Sequence, residues 1–178
     1  MPDVLTPTQR HLNMAAIHSA STKPELKLRH ALWYQGFRYR INDKRLPGRP
    51  DIVLPKYRTV VFMHDCFWHG HKGCPTSHIP KTNTEFWETK VTRNQERDQE
   101  VWRKLEAKGW KVIIVWECQL KKANLDETID RVASEIVRNG ENYRAVQEER
   151  NKAREEYRRE RKERKEREQS LLKEVKSL

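Results

Sequence analysis

Residues 51–74 read DIVLPKYRTVVFMHDCFWHGHKGC, and the fold turns on how this stretch is parsed. Two short apolar runs, DIVL and RTVVFMH, are separated by Pro55-Lys56-Tyr57. Continuous Val/Ile/Phe runs of this length predict strands buried on both faces. The second run ends in residues 64–74, which hold three histidines, two cysteines, a lysine, an aspartate and the pair Phe67–Trp68. A strand that opens into such a loop brings metal ligands and two large rings to one edge of a sheet.

Upstream, Thr22-Lys23-Pro24-Glu25 has the form of a capping box with Pro in the first turn. It predicts a helix through Leu26, Leu28, Leu32 and Trp33 that stops at Gly36. FRYRI (residues 37–41) alternates Phe37, Tyr39 and Ile41 on one face and predicts a half-buried strand; NDKRLPGRP after it is rich in turn residues. Downstream, a helix is expected from about Thr84 to Lys108, closed by Gly109, with the stripe Val91, Asp98, Val101, Trp102 and Leu105. WKVIIVWEC is another buried strand, and Asn124 with Glu127 caps a last amphipathic helix carrying Leu125, Ile129, Val132 and Ile136. The order α-β-β-β-α-β-α describes one α/β domain.

That domain is expected over residues 22–140, after an arm at 1–21 and before a charged helical tail at 141–178. Between Gln147 and Ser170 the only apolar residues are Ala153 and Tyr157. Glu148/Lys152, Glu155/Arg159, Glu160/Arg164 and Glu163/Arg167 stand in the favourable i,i+4 order, which predicts a solvated helix laced with ion pairs. No heptad seam is sustained.

The 178 residues are 35% hydrophobic and 35% charged, with a net charge of +11. That balance points to a polyanionic partner, nucleic acid first and an acidic membrane surface second. No apolar run approaches a membrane span, and no signal-peptide stretch opens the chain, so a soluble cytosolic protein is expected. Three cysteines make a poor disulfide framework and a better metal site.

Cys66, His71 and Cys74 give C-x4-H-x2-C, and Cys118 lies at the end of the last strand. A Cys3His set suits tetrahedral Zn2+ and leaves no position for water, hence a structural site. Three buried thiols beside exposed histidines are the alternative, and His69 and His78 are nearby candidates for the imidazole ligand. Asp51, at the start of a buried strand, can hold Mg2+ through a carboxylate, and His64 on the neighbouring strand can assist proton transfer. Asp98 lies on an apolar helix stripe, where a carboxylate needs a cation, a histidine or a backbone donor; an ion pair with Arg97 or Arg103 is the other reading. Glu25 is explained by capping its own helix. Trp33, Trp102, Trp110 and Trp116 fall on core faces. Phe67, Trp68 and Trp87 fit exposed wedges that unstack base pairs, although Phe67 could equally plug the sheet end.

LPGRPDIVLPKYRTVVFMHDCFWHGHKGC, TEFWETKVTRNQERD and GWKVIIVWEC closely resemble the very short patch repair (Vsr) endonucleases, and RHLNMAAI resembles that family's N-terminal arm. The likeness runs from about Arg10 to Cys118. It implies a restriction-endonuclease-like fold of the PD-(D/E)XK type, a mixed sheet flanked by helices, with a structural zinc. It further implies Mg2+-dependent nicking of duplex DNA beside a T:G mismatch of the kind left by 5-methylcytosine deamination. By resemblance, Asp51 binds the catalytic metal with the backbone carbonyl of Met63. His64 and His69 are the active-site histidines, with Asp98 behind one of them and Glu25 nearby. Cys66, His71, Cys74 and Cys118 are the zinc ligands. Phe67, Trp68 and Trp87 intercalate beside the mismatch, and Met14 belongs to an arm in the minor groove. A monomer acting in the bacterial cytosol at the nucleoid, with mismatch-repair proteins of the MutL type as partners, is expected on the same basis.

Asp65 stands where the family usually has glycine, and the charged tail lies outside the shared pattern. Two other functions fit the residues less fully: a sequence-specific type II-like restriction endonuclease, and a zinc-containing DNA-binding protein without catalysis. The second has no use for Asp51, His64, His69 and Asp98 together.

Overall fold

The computed structural model describes residues 21–176, with side chains to residue 167, together with Thr6, Thr8, Gln9 and Leu12. Most of the predicted arm, Met14 included, lies outside the described residues. The elements are α1 (Lys23–Tyr34), β1 (Ile52–Leu54), β2 (Thr59–His64), α2 (Thr84–Ala107), β3 (Lys111–Trp116) and α3 (Leu125–Lys176). None of the described helices is long and apolar enough to cross a membrane.

The two apolar runs do form neighbouring strands. β1 pairs antiparallel with β2 (Ile52 opposite Val61), and β2 pairs parallel with β3 (Val61 opposite Ile113) in a three-stranded mixed sheet of order β1-β2-β3. The period-2 rule splits their side chains between two cores. Ile52, Leu54, Val61, Ile113 and Val115 face Leu28 and Leu32 of α1 and Ile129, Val132 and Ile136 of α3. Val53, Val60 and Phe62 face Leu105 of α2 and Trp110. The result is three layers, with α1 and α3 on one side of the sheet and α2 on the other.

FRYRI is not a strand. Only Arg40 pairs, exchanging N–H···O bonds with Val53 of 2.9 and 2.8 Å. Phe37 is buried as alternation requires, but Asn42 turns left-handed (φ 47°), the chain leaves the sheet, and Ile41 is 52% exposed. Trp33 is likewise not a core residue. Leu28 and Leu32 occupy the face of α1 that meets the sheet, and Trp33, a third of a turn away, is 49% exposed beneath the Arg38 guanidinium.

The change in composition at residue 141 is not a change in secondary structure. α3 runs unbroken through Gly140, which serves close approach: a Cβ there would lie 2.6 Å from Cδ1 of Tyr57 and 3.4 Å from its Cα. In a helix interior alanine gains about 1 kcal/mol over glycine, while overpacking typically costs about 1–3 kcal/mol. Gly140→Ala should therefore lower the melting temperature in a calorimetric scan; a rise would mean that Tyr57 yields freely.

Candidate active site and metal centre

Sheet register places the site. The β2–β3 pairing ends with His64 opposite Trp116, so the loops after both strands leave from the same edge. Asp51, just before β1, sits beside the end of β2, where its Oδ2 accepts a 2.8 Å hydrogen bond from the Met63 N–H. The carboxylate thus occupies the position where a further β1 residue would pair.

Asp51, His64, His69 and Asp98 line one open cleft of about 690 Å³, with Arg49, Arg97 and Lys44 supplying positive charge at its walls. The imidazoles of His64 and His69 stack with centroids 3.8 Å apart and planes within 18°. His69 Nδ1 lies 2.5 Å from Asp98 Oδ2, so the buried stripe aspartate does have a histidine partner, with Arg97 a distant second at 3.9 Å. Occupying Nδ1 turns Nε2 of His69 toward other chemistry. His64 is buried and its Nδ1 has no hydrogen-bond partner among the described residues. Burial, then the neighbouring His69, holds its pKa down to about 4, so it is a neutral base at physiological pH. Burial pushes the Asp51 carboxyl up to about 6, against the opposing Met63 hydrogen bond.

Glu25 makes the expected capping box and does more. Its carboxylate accepts from Thr22 Oγ1 (2.9 Å) and the Ser21 N–H (3.0 Å), and it pairs with Arg29 at 3.0 Å. Arg29 also donates to the Asp51 backbone carbonyl at 3.3 Å. This buried arginine, overlooked in the sequence, ties α1 to the start of β1; its one legible signal is the Glu25/Arg29 i,i+4 spacing beside Leu28.

A second cluster lies under the loop. The ligand atoms of Cys66, His71, Cys74 and Cys118 all fall within 4.8 Å of one another. His71 Nδ1 is 3.5 Å from the Cys66 sulfur and 3.4 Å from that of Cys118. A Zn2+ tetrahedron with bonds of about 2.3 Å to sulfur and about 2.05 Å to nitrogen has N···S edges of about 3.6 Å, so the donor set fits the ion. His78 points elsewhere, toward the Pro75 carbonyl. The His71 ring stacks on Trp116 at 4.1 Å, and Trp102 stacks on His64 at 5.9 Å. These two tryptophans, expected simply as core, thus support the histidines of the two sites.

Asp65 explains how the loop tolerates a non-glycine residue. Its Oδ1 accepts from the Phe67 N–H (2.9 Å) and the Trp68 N–H (3.2 Å), an Asx turn that orders the two rings. Phe67, Trp68 and Trp87 are half-buried in mutual edge-to-face or tilted contact, with centroids 5.2–5.7 Å apart. From α2, Asn94 donates to the Trp68 carbonyl and Gln95 to that of His69. Gly70 (φ 62°) lies so close that a Cβ would be 2.7 Å from Val91.

Residues 2–75 match the family model described as DNA mismatch endonuclease Vsr. The type II nicking enzyme V.NmeAIP of Neisseria meningitidis serogroup A is 55% identical over 137 residues, covering 76% of this chain and 97% of the relative. The type II nicking enzyme V.XorIIP of Xanthomonas oryzae pv. oryzae is 44% identical over 120 residues, 67% of this chain and 88% of its own. The DNA mismatch endonuclease Vsr of Escherichia coli K12 is 46% identical over 121 residues, 68% and 77% respectively.

The raised pKa of Asp51 has a consequence for stability. Below the ordinary carboxylate range, near pH 4, the group is protonated folded or unfolded and costs nothing. As pH rises through about 6 the folded chain must hold a desolvated charge. At about 1.4 kcal/mol per unit, a rise of about two units opposes folding by about 3 kcal/mol at pH 8. Asp51→Asn, in buffer without magnesium, should melt several degrees above the parent at pH 8, and the gap should narrow toward pH 5. A parent at least as stable as the variant at pH 8 would contradict this.

Proposed function

The chain belongs to the Vsr family of DNA mismatch endonucleases, and we propose that it nicks one strand of duplex DNA beside a T:G mismatch. Assignment of a restriction-endonuclease-like fold is part of the same reading. What carries it is the cleft, in which a desolvated aspartate, a neutral histidine and an aspartate-oriented histidine converge under basic walls. A protein that only bound DNA would gain nothing from burying Asp51.

In the proposed mechanism Asp51, with the Met63 carbonyl, holds Mg2+, and the desolvated carboxylate fits a hard divalent cation. When bound, the ion polarises the scissile phosphate and lowers the pKa of attacking water. Asp98 fixes the orientation of His69 through Nδ1, leaving Nε2 to exchange a proton at the phosphate. Stacked on His69, His64 starts neutral, accepts the proton that the attacking water gives up, and returns it to solvent once the phosphodiester bond has broken. Arg29 balances Glu25 and Asp51 without entering the chemistry. Cys66, His71, Cys74 and Cys118 hold Zn2+, which ties the loop after β2 to the end of β3. Metal analysis of protein purified without added zinc should find about one atom per chain; folded, active, metal-free protein would remove zinc from the site.

Phe67, Trp68 and Trp87 serve as the wedge that enters beside the mismatch, where unpairing costs least. The decisive assay uses duplexes differing in one T:G pair, with magnesium. The parent should nick one strand of the T:G duplex and leave the T:A duplex intact, and Asp51→Ala should abolish nicking while retaining binding. Base–aromatic stacking is worth about 1–3 kcal/mol per base, so Phe67→Ala/Trp68→Ala should lose most of the T:G preference with zinc content unchanged. Double-strand cutting, or equal nicking of both duplexes by the parent, would refute the reading.

A further inference from the structure

Over residues 141–167 the chain has eleven basic and eight acidic residues, a balance of +3. That modest figure conceals how the charges are arranged on α3. Projected at about 100° per residue, Arg150, Arg154, Arg158, Arg161 and Lys165 fall within an arc about 80° wide. The eight acidic residues between 141 and 167 lie in a separate arc about 140° wide, at least about 60° away on either side, and Glu168, the next acidic residue in sequence, marks the end of the stripe. The five stripe residues are exposed, and none has an ion-pair partner among the described residues. The pairs on the helix include Arg159–Glu156 at 4.0 Å and Lys162–Glu166 at 3.8 Å, away from the stripe's five positions.

A helix that is merely solvated gains from interleaving the signs, since opposite charges at i,i+4 stabilise it and like charges destabilise it. Here Arg150/Arg154, Arg154/Arg158 and Arg161/Lys165 are like-charged i,i+4 neighbours. The stripe works against the free helix and suits an external polyanion. Arg150 to Lys165 spans about 22 Å at about 1.5 Å per residue, the rise of six to seven base pairs at about 3.4 Å each. The helix contacts the domain at Gly140, against Tyr57, and at Tyr143, near Arg58; every residue from Glu148 to Arg167 is exposed.

We propose that this stripe is a second DNA-binding surface, which grips phosphates of the duplex outside the catalytic cleft. It rests on the reading of duplex DNA as substrate, and on the arrangement of the tail's charges rather than on their sum. The test uses the full-length chain with all five stripe residues changed to Gln, which keeps helix propensity, and circular dichroism to check helicity. Binding to a T:G duplex is measured between about 50 and 200 mM salt, where each phosphate contact contributes about 0.9 to the slope of log K against log salt. The variant's slope should be shallower by about 2–4, with at least tenfold weaker binding at the upper salt and an unchanged single-turnover nicking rate at saturating enzyme. Glu149→Gln/Glu156→Gln/Glu163→Gln, on the opposite arc, should leave the slope unaltered. A stripe variant within one unit of the parent's slope, or an equal response from the acidic-arc variant, would overturn the proposal. Failure of the parent to nick T:G duplexes would instead count against the proposed function, and the slopes would still report on the stripe.

Discussion

The parallel pairing of β2 with β3 is the constraint on which the molecule depends. Because Val61 sits opposite Ile113 and His64 opposite Trp116, the loop after β2 and the turn after β3 leave the sheet together, and Cys118 meets Cys66, His71 and Cys74. A slip of one residue would turn every side chain of β2 to the other face. His64 would leave the cleft and Val61 would leave the core shared with α1 and α3. On the other edge of β2 the antiparallel ladder with β1 begins at Ile52, and Asp51, just before it, bonds the Met63 N–H through its carboxylate. Core packing and site geometry are thus specified by one set of backbone hydrogen bonds.

The site stores electrostatic tension. One buried guanidinium, that of Arg29, is bonded to the Glu25 carboxylate and to the Asp51 backbone carbonyl, and its Nε has no partner among the described residues. Beside them His64 is kept neutral with an unsatisfied nitrogen. Burial works against the charged form of both Asp51 and His64, which raises the pKa of the carboxyl and keeps the imidazole neutral. The apolar layers on both sides of the sheet supply the stability that offsets it.

Much of this was legible in the chain. Continuous apolar runs flanked by turn residues marked β1, β2 and β3, because strands covered on both faces cannot alternate. Asp98 was visible as a carboxylate on an apolar stripe, and its partner could be narrowed to a cation, a histidine or a backbone donor, but not chosen. The Cys3His set was visible because all three cysteines and a nearby histidine were accounted for at once; His71 was the spacing's choice, and the direction of its Nδ1 toward Cys66 and Cys118 sets it apart from His69 and His78. Residues 37–41 misled because alternation reports which side chains are buried, whereas a strand also needs a partner backbone, which the turn at Asn42 removes. Gly140 looked like a terminus because glycine there reflects contact with Tyr57, a residue eighty-three positions away. Arg29 was missed for a similar reason: its role depends on β1, and helix periodicity is blind to it.

Asn94 and Gln95 bond the loop carbonyls of Trp68 and His69 from α2, while Cys66, His71 and Cys74 of the same loop meet Cys118. The loop therefore has two moorings of different chemistry. One is a set of cysteine sulfurs and an imidazole, open to oxidants and, if it holds a metal, to chelators and acid; the other is neutral amide to carbonyl and would respond to none of them. The Trp68–His69 segment is bonded to α2, while Cys74 and Cys118 meet Cys66 and His71 at the sheet edge. Chemical damage to the cluster would first unlatch β3 from the loop, with the aromatic rings and His69 still seated on the helix.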